Sequence, residues 1–257
     1  MIISVPVCNL YRHPSADSEH IDEAMFGTEV KITDSAAGFV KIITEYGYEG
    51  WINQNETAKE AEKPNSVITF PWADLLKEAK NFSAPVLTLP FGAKVAAGFS
   101  ESLPRHAFVI LPDKRMYYLR KEALGEPPAG LSEEKAREVI IKTSLSFLGV
   151  QYRWGGRTHM GIDCSGLAFN SYREAGINIW RDAYIEKSPA LKRIPLERAK
   201  PADLLFFDGH MAVYLGEGKF IHSASSGARV DFASFDENSP VYSEWCAQNL
   251  ICAGTAF

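Results

Sequence analysis

The chain has 257 residues, of which 46% are hydrophobic and 23% are charged, a balance typical of a globular protein. At about 100–200 residues per domain, this length favours a small number of compact units, each with its own hydrophobic core. The net charge of −5 produces a field that repels nucleic acid and anionic lipid, so neither is an expected partner.

Two observations bear on the compartment. No stretch approaches the roughly 18 apolar residues of a membrane helix, and the opening segment MIISVPVCNLYRHPS lacks the basic and apolar regions of a signal peptide. The cysteines have no paired or framework spacing, which favours a reducing compartment; they are Cys8, Cys164, Cys246 and Cys252. We therefore expect a cytoplasmic protein, with an exported protein whose leader has been removed as the alternative.

The first part of the chain predicts short strands. Three β-branched or aromatic runs, VKIT (30–33), FVKIIT (39–44) and GWI (50–52), are separated by turn-forming residues. The polar segment NETAKEAEKPNS (55–66) follows and is poor in apolar residues, which indicates a linker or surface turn.

A second β-rich stretch at 84–124 repeats the outline of the first. LPFGAKVAAGF resembles AMFGTEVKITD, and VILPDKRMYYLRKEAL resembles IITEYGYEGWINQNE. This internal repeat predicts two small β-barrels of similar design. The segment GEPPAG (125–130) predicts a boundary, since paired prolines continue neither a strand nor a helix.

The last part predicts helices followed by a meander of strands, which is an α+β pattern. Ser132 is a good N-cap for a helix that Gly149 would end, and CSGLAFNSYREAG (164–176) predicts a second helix closed by Gly176. Three antiparallel strands are predicted after it: DLLFF (203–207), MAVYLG (211–216) and KFIHSAS (219–225).

Cys164 is the candidate nucleophile because it opens the second predicted helix. The positive end of the helix dipole favours the thiolate form. The preceding segment is rich in glycine, which lets backbone approach closely, as an open substrate groove requires. The alternative is a buried structural cysteine, which is how Cys8, Cys246 and Cys252 are interpreted.

Two histidines supply the other groups that a nucleophilic cysteine needs. His210 precedes one predicted strand and His222 lies in the next, so a hairpin would bring both imidazoles to one end of the sheet. Either histidine alone could be an ordinary strand residue. A zinc site formed with Cys164 is a second alternative, although no fourth ligand is evident.

These segments resemble a known family. YRWGGRTHMGIDCSGL, GHMAVYLG and FIHSAS resemble the nucleophile, histidine and third polar segments of the NlpC family (NlpC/P60 type) of papain-like cell-wall cysteine peptidases. The upstream repeats resemble bacterial SH3-like modules. The resemblance implies an α+β protein with an SH3-like module at 1–62, a linker and second module at 63–128, and a papain-like catalytic domain at 129–257.

The resemblance also implies a catalytic role for four residues. Cys164 would be the nucleophile, and His210 would act first as general base and then as general acid. His222 would orient the His210 imidazole, and Tyr152 would help to hold the oxyanion together with the backbone N–H of Cys164. No metal or cofactor is implied.

The substrate class is implied by the same comparison. Relatives with two such modules are typically γ-D-glutamyl-L-diamino-acid endopeptidases, acting on peptidoglycan stem peptides with a free N-terminal L-Ala during murein peptide recycling. Asp182 would pair with that ammonium and Tyr48 would close the pocket, although the first could be an exposed loop charge and the second a core aromatic. Five residues are implied to contact the substrate: Asp163, Ser165, Trp154, Asp182 and Tyr48.

Three other functions stay open at this point. One is an amidase that cuts the bond between L-Ala and the sugar. Another is an acyltransferase or lipid hydrolase of the same fold, and the third is a non-catalytic wall-binding protein.

Overall fold

The computed structural model describes residues 1–59, 62–127 and 129–257. The chain divides into two compact units, Met1–Pro127 and Pro128–Phe257. Each unit is described separately below.

Two segments predicted from the sequence include residues that the structure does not describe. The predicted linker at 55–66 includes residues 60 and 61, and the predicted boundary at 125–130 includes residue 128. These three residues lie outside those that the structure describes.

The first unit is all β-structure. Its first half contains β1 (Ile2–Ile3), β2 (Val7–Tyr11), β3 (His20–Met25), β4 (Val30–Ala36), β5 (Phe39–Thr44), β6 (Glu49–Asn53) and β7 (Thr57–Ala58). The second half contains β8 (Ser66–Ile68), β9 (Trp72–Leu76), β10 (Pro85–Pro90), β11 (Lys94–Gly98), β12 (His106–Ile110), β13 (Met116–Arg120) and β14 (Leu124–Gly125). The strands predicted at 30–33, 39–44 and 50–52 are confirmed as β4, β5 and β6.

The two halves share one strand order. The first half forms a sheet in the order β3-β2-β6-β5-β4, and the second half continues the matching order β10-β9-β13-β12-β11 with β8 and β14 at its end. A short 3₁₀ helix follows the last long strand in each half, at Gln54–Glu56 and at Lys121–Ala123. The repeat predicted from sequence is therefore present in the fold.

The two halves also share a hydrophobic core. Met25 and Phe26 of the first half belong to the same buried cluster as Leu89 and Val95 of the second. The backbone N–H of Lys94 donates to the carbonyl of Phe26 at 2.8 Å. Burial of apolar surface across this junction stabilises both halves as one unit.

The second unit combines helices with an antiparallel sheet. Its helices are α1 (Glu133–Ser146), α2 (Cys164–Glu174) and α3 (Glu244–Asn249), with 3₁₀ helices at Ile185–Lys187 and Leu196–Arg198. Its strands are β15 (Arg157–Thr158), β16 (Gly161–Ile162), β17 (Lys192–Ile194), β18 (Leu204–Phe207), β19 (His210–Gly216), β20 (Lys219–Ala224), β21 (Arg229–Ser234) and β22 (Cys252–Thr255). The fold class is α+β, as the sequence predicts.

The helix boundaries follow from capping. The Ser132 hydroxyl accepts a hydrogen bond from the backbone N–H of Lys135 at 3.3 Å, which satisfies a free donor at the start of α1. Gly149 and Gly176 follow α1 and α2 with φ angles of 82° and 77°, a left-handed conformation that favours glycine. Both predicted helices are confirmed.

The main sheet of this unit has the strand order β17-β22-β18-β19-β20-β21. A Glu-Gly turn joins β19 to β20, with φ angles of 52° at Glu217 and 72° at Gly218. Helix α2 contacts β19 and β20. This arrangement places the start of α2 against the two strands that carry the candidate histidines.

None of the helices among the described residues has the length and apolar character needed to span a membrane.

Candidate active site

Cys164 is the first residue of α2, as the sequence predicts. Asp163 is its N-cap, and Oδ1 of Asp163 accepts from the backbone N–H of Gly166 at 2.6 Å. Only 8% of Cys164 is exposed. The thiol is therefore held at the buried N-terminus of a helix whose position is set by packing along almost its whole length.

Burial shifts the pKa of the Cys164 thiol. Loss of solvent raises the pKa of Cys164 to about 12, and the negative charge of Asp163 adds to the effect. A hydrogen bond from the backbone amide of Met211 and the positive charge of Arg181 act in the opposite direction. Burial therefore disfavours the thiolate of Cys164, and its attack on a carbonyl requires a base.

A buried ion pair supports the start of α2. Nη1 and Nη2 of Arg181 donate to Oδ1 and Oδ2 of Asp163 at 3.1 and 3.0 Å, and Arg181 is 1% exposed. Nη1 of Arg181 also donates to the Ser165 hydroxyl at 2.8 Å, and the backbone N–H of Gly155 donates to Oδ2 of Asp163 at 2.8 Å. The network ties residues on both sides of Cys164 to one fixed guanidinium.

The role of Arg181 was not predicted from the sequence. It lies outside the regular helices and strands, well downstream of Asp163, and no periodic pattern connects the two. Asp163 and Ser165 were predicted to contact substrate, and the structure shows both side chains bonded to Arg181. Their contact with substrate stays a prediction.

The two candidate histidines form a direct pair. Nε2 of His210, at the start of β19, lies 2.9 Å from Nδ1 of His222 in β20. Their ring centroids are 5.1 Å apart with the planes inclined by 67°. Cys164 hydrogen-bonds the backbone amide of Met211, the residue after His210, so the thiol and the pair share one end of the sheet.

Burial keeps both imidazoles neutral. Loss of solvent lowers the pKa of His210 to about 3, with a further contribution from His222. Burial likewise lowers the pKa of His222 to about 4, against the opposing charge of Asp231, its direct cross-strand neighbour in β21. A neutral imidazole at His210 has a free lone pair and can accept a proton.

Tyr152 lies near the nucleophile. Burial raises the pKa of its phenol to about 12, and the charge of a Cys164 thiolate is the next largest cause. Its backbone N–H donates to the carbonyl of Ala228 at 2.8 Å, which fixes the segment leading to Cys164. The hydroxyl therefore keeps its proton and can donate a hydrogen bond, as the predicted oxyanion role requires.

Three further residues were predicted to contact substrate. Trp154 is 59% exposed, and Asp182 is partly exposed directly after Arg181. Tyr48, a residue of the first unit, is buried. Their predicted contacts with substrate stay predictions.

Trp245, an aromatic residue beside His210, was also not predicted from the sequence. The ring of Trp245, in α3, has its centroid 6.1 Å from that of His210 and 5.8 Å from that of Phe207. Half of Trp245 is exposed. The short helix that carries it has no long apolar period from which it could have been recognised.

The structure also bears on the interpretation of the cysteines and on the zinc alternative. Cys8, Cys164, Cys246 and Cys252 are all free thiols. Across residues 1–59, 62–127 and 129–257, no group of three His, Cys, Asp or Glu side chains is placed to hold a metal ion. The zinc alternative thus has no ligand set in that part of the chain.

The chain is similar to known proteins along its whole length. Residues 149–249 match the family model of the NlpC/P60 family, and residues 6–57 match that of the bacterial SH3 domain. Dipeptidyl-peptidase 6 of Lysinibacillus sphaericus is 34% identical over 269 aligned residues, covering 100% of this chain and 99% of the relative. A gamma-D-glutamyl-L-lysine dipeptidyl-peptidase of Bacillus subtilis is 30% identical, covering 84% of this chain and 76% of the relative.

One solved structure is similar over nearly its full length. The crystal structure of an NlpC/P60 family protein from Bacillus cereus superposes with a TM-score of 0.80 at 22% identity, covering 98% of this chain and 97% of that one. At this identity the likeness shows the fold alone.

Proposed function

The chain belongs to the NlpC/P60 family of cysteine peptidases, and from that premise we propose that it hydrolyses the γ-D-glutamyl-L-diamino-acid bond of peptidoglycan stem peptides. The observation that carries the proposal is the Cys164 thiol at the start of α2 beside the hydrogen-bonded pair of His210 and His222. The bond is supported by the relative in Bacillus subtilis, whose name specifies γ-D-glutamyl-L-lysine.

The histidine pair supports the assignment of the base. When Nε2–H of His210 donates to Nδ1 of His222, Nδ1 of His210 keeps its lone pair. That nitrogen is then the basic atom of His210, and His222 holds the ring in this tautomer. The arrangement meets the need of a thiol nucleophile for a base that a third group orients.

The proposed reaction proceeds by acyl transfer. The Cys164 proton passes to His210 as the sulfur–carbon bond forms at the γ-carbonyl of D-Glu. The carbon–nitrogen bond then breaks, and His210 gives the proton to the leaving amine of the diamino acid. Water attacks the thioester, its proton passes to His210, and the carbon–sulfur bond breaks as that proton returns to sulfur.

Hydrogen-bond donors stabilise the oxyanion in both steps. The proposed donors are the backbone N–H of Cys164, at the helix N-terminus, and the hydroxyl of Tyr152. The phenol suits this role because its raised pKa keeps the proton on oxygen throughout the physiological range.

The proposal includes a substrate with a free N-terminal L-Ala, as in recycling of murein peptides. Asp182 is a partly exposed carboxylate in the catalytic unit. A free ammonium on the substrate would pair with such a carboxylate, whereas an acetylated amine would not.

Mass spectrometry of the purified full chain tests the proposal. We expect it to release L-Ala-D-Glu from L-Ala-γ-D-Glu-L-Lys or from the diaminopimelate peptide, and the Cys164→Ala variant to release none. Cleavage of the N-acetylated peptide as well would retain the bond specificity and overturn the free-amine requirement. If the protein were given a muropeptide and cleaved it only at the L-Ala–sugar bond, the proposal would be overturned. The proposal would also be overturned if a folded protein with a reactive thiol cleaved none of these substrates.

A further inference from the structure

Trp245 lies against the base of the proposed mechanism while presenting half of its surface to solvent. Its indole ring meets the His210 imidazole edge to face, with centroids 6.1 Å apart and planes inclined by 69°. A large aromatic side chain that is 50% exposed leaves much apolar surface in water.

Helix α3 is anchored by residues other than Trp245. Helix α3 is anchored by its next residue, Cys246, which is 1% exposed and belongs to the buried cluster that includes Phe207 and Phe220. The Ser243 hydroxyl caps the helix by accepting from the backbone N–H of Cys246 at 3.4 Å. The core and the cap set the position of α3, and Trp245 is held over His210 as a result.

The reaction geometry indicates which part of a substrate would meet this ring. His210 must come within hydrogen-bond distance of the leaving nitrogen to protonate it. The amino acid attached to that nitrogen therefore lies within a few ångströms of His210. Trp245 is a neighbour of His210 that is open to solvent, so its ring offers a surface to the side chain of that amino acid.

We propose that the exposed indole face of Trp245 forms the subsite for the leaving L-diamino acid. This assignment rests on the proposed function and deepens it. A diamino acid carries an aliphatic chain that ends in an ammonium group. The chain can lie along an indole face, and the ammonium is attracted by the ring's π-electrons. Lysine and diaminopimelate share the aliphatic chain and the distal ammonium, and diaminopimelate carries a carboxylate on the same carbon in addition.

The test compares two tripeptides with the same acyl part, L-Ala-γ-D-Glu-L-Lys and L-Ala-γ-D-Glu-L-Ala. The measured quantity is the ratio of their kcat/KM values. We expect Trp245→Ala to lower this ratio about tenfold, the effect of losing roughly two buried methylene groups. Trp245→Phe keeps an aromatic face and should retain most of the preference.

Ile251→Ala is the matched control because it removes another exposed apolar side chain shortly after α3. Its ratio should equal that of the wild type. An unchanged ratio in Trp245→Ala would overturn the subsite. An equal fall in both substrates with a shifted pH profile would overturn it in favour of a ring that only shields His210. Failure of the wild type to cleave either peptide would instead overturn the proposed function, and the subsite with it.

Discussion

Nε2 of His210 lies 2.9 Å from Nδ1 of His222, which is close to the ideal distance for a hydrogen bond. The hairpin of β19 and β20 holds this distance, because Val213 pairs with Ile221 and both are fully buried. Phe220 also packs edge to face on His222, with centroids 5.4 Å apart. The orientation of the base is therefore built into the sheet before substrate binds.

The first prediction follows from that orientation. His222→Ala leaves His210 without the partner that fixes its tautomer, so kcat/KM should fall on the order of 10²-fold or more. His222→Gln retains a carbonyl acceptor and should recover part of the loss. Steady-state kinetics on the γ-D-Glu peptide measure both variants.

Lys219→Ala is the control for this pair because it changes an exposed residue on the same strand. It should match the wild type. Wild-type kcat/KM in His222→Ala would show that His210 needs no orienting partner.

The second prediction concerns stability at acidic pH. Burial lowers the pKa of His210 to about 3 and of His222 to about 4 in the folded chain, below the ordinary value of 6.5. As pH falls below 6.5, the unfolded chain binds protons that the folded chain does not. The free energy of unfolding should therefore decrease, by up to about 1.4 kcal/mol per pH unit for each histidine.

Urea unfolding of the wild type and His222→Asn over this pH range checks the expectation. The variant lacks one of the two buried imidazoles, so its free energy of unfolding should depend less steeply on pH. Equal slopes for the two proteins would mean that His222 is protonated as readily in the folded chain as in the unfolded one.

Local patterns were enough to predict the central part of the site. The helix that begins at Cys164 has a capping aspartate, a sequence signal within a few residues. The strands of His210 and His222 are joined by a two-residue turn, so their pairing is also local. Within the five-strand order that the repeated β halves share, most pairings likewise join consecutive strands, whereas the pairings β2–β6 and β9–β13 join distant segments.

The missed features depend on contacts between distant segments. Strand β22 is four residues long and pairs between β17 and β18, far from both in sequence. The ion pair of Arg181 with Asp163 likewise joins a loop to a helix N-cap. No composition or period marks such partners, because burial of the guanidinium is a property of the folded chain.

The third prediction uses this ion pair. Arg181→Met leaves the Asp163 carboxylate at the start of α2 without its cation, and should lower the free energy of unfolding by about 3–5 kcal/mol. Adding Asp163→Asn removes the uncompensated charge and should restore part of that loss. Urea unfolding of the two single variants and the double variant measures the coupling.

Arg193→Met is the control variant for Arg181→Met, and the free energy of unfolding is compared between the two. Arg193 pairs with Glu186, but about half of each side chain is exposed, so the loss should be at most about 1 kcal/mol. If the two arginine variants lost equal stability, burial would not distinguish the pair at the active site from a surface pair.

The last prediction concerns the protonation state of the nucleophile. Burial raises the pKa of Cys164 to about 12 and lowers that of His210, so we expect the resting site to hold a thiol and an imidazole instead of an ion pair. Because only the thiolate reacts, iodoacetamide labelling of Cys164 should accelerate about tenfold per pH unit from neutral pH through the ordinary range of thiol titration.

Labelling can be followed by mass spectrometry of the Cys164 peptide, with a small free thiol as the reference. The rate for the free thiol should level off above its own pKa, while that for Cys164 continues to rise. A Cys164 rate that is already constant at neutral pH would mean that the thiolate forms before substrate binds. The continued rise would instead agree with a thiol that gives its proton to His210 only as the sulfur attacks, so that transfer of the proton and formation of the sulfur–carbon bond belong to one step.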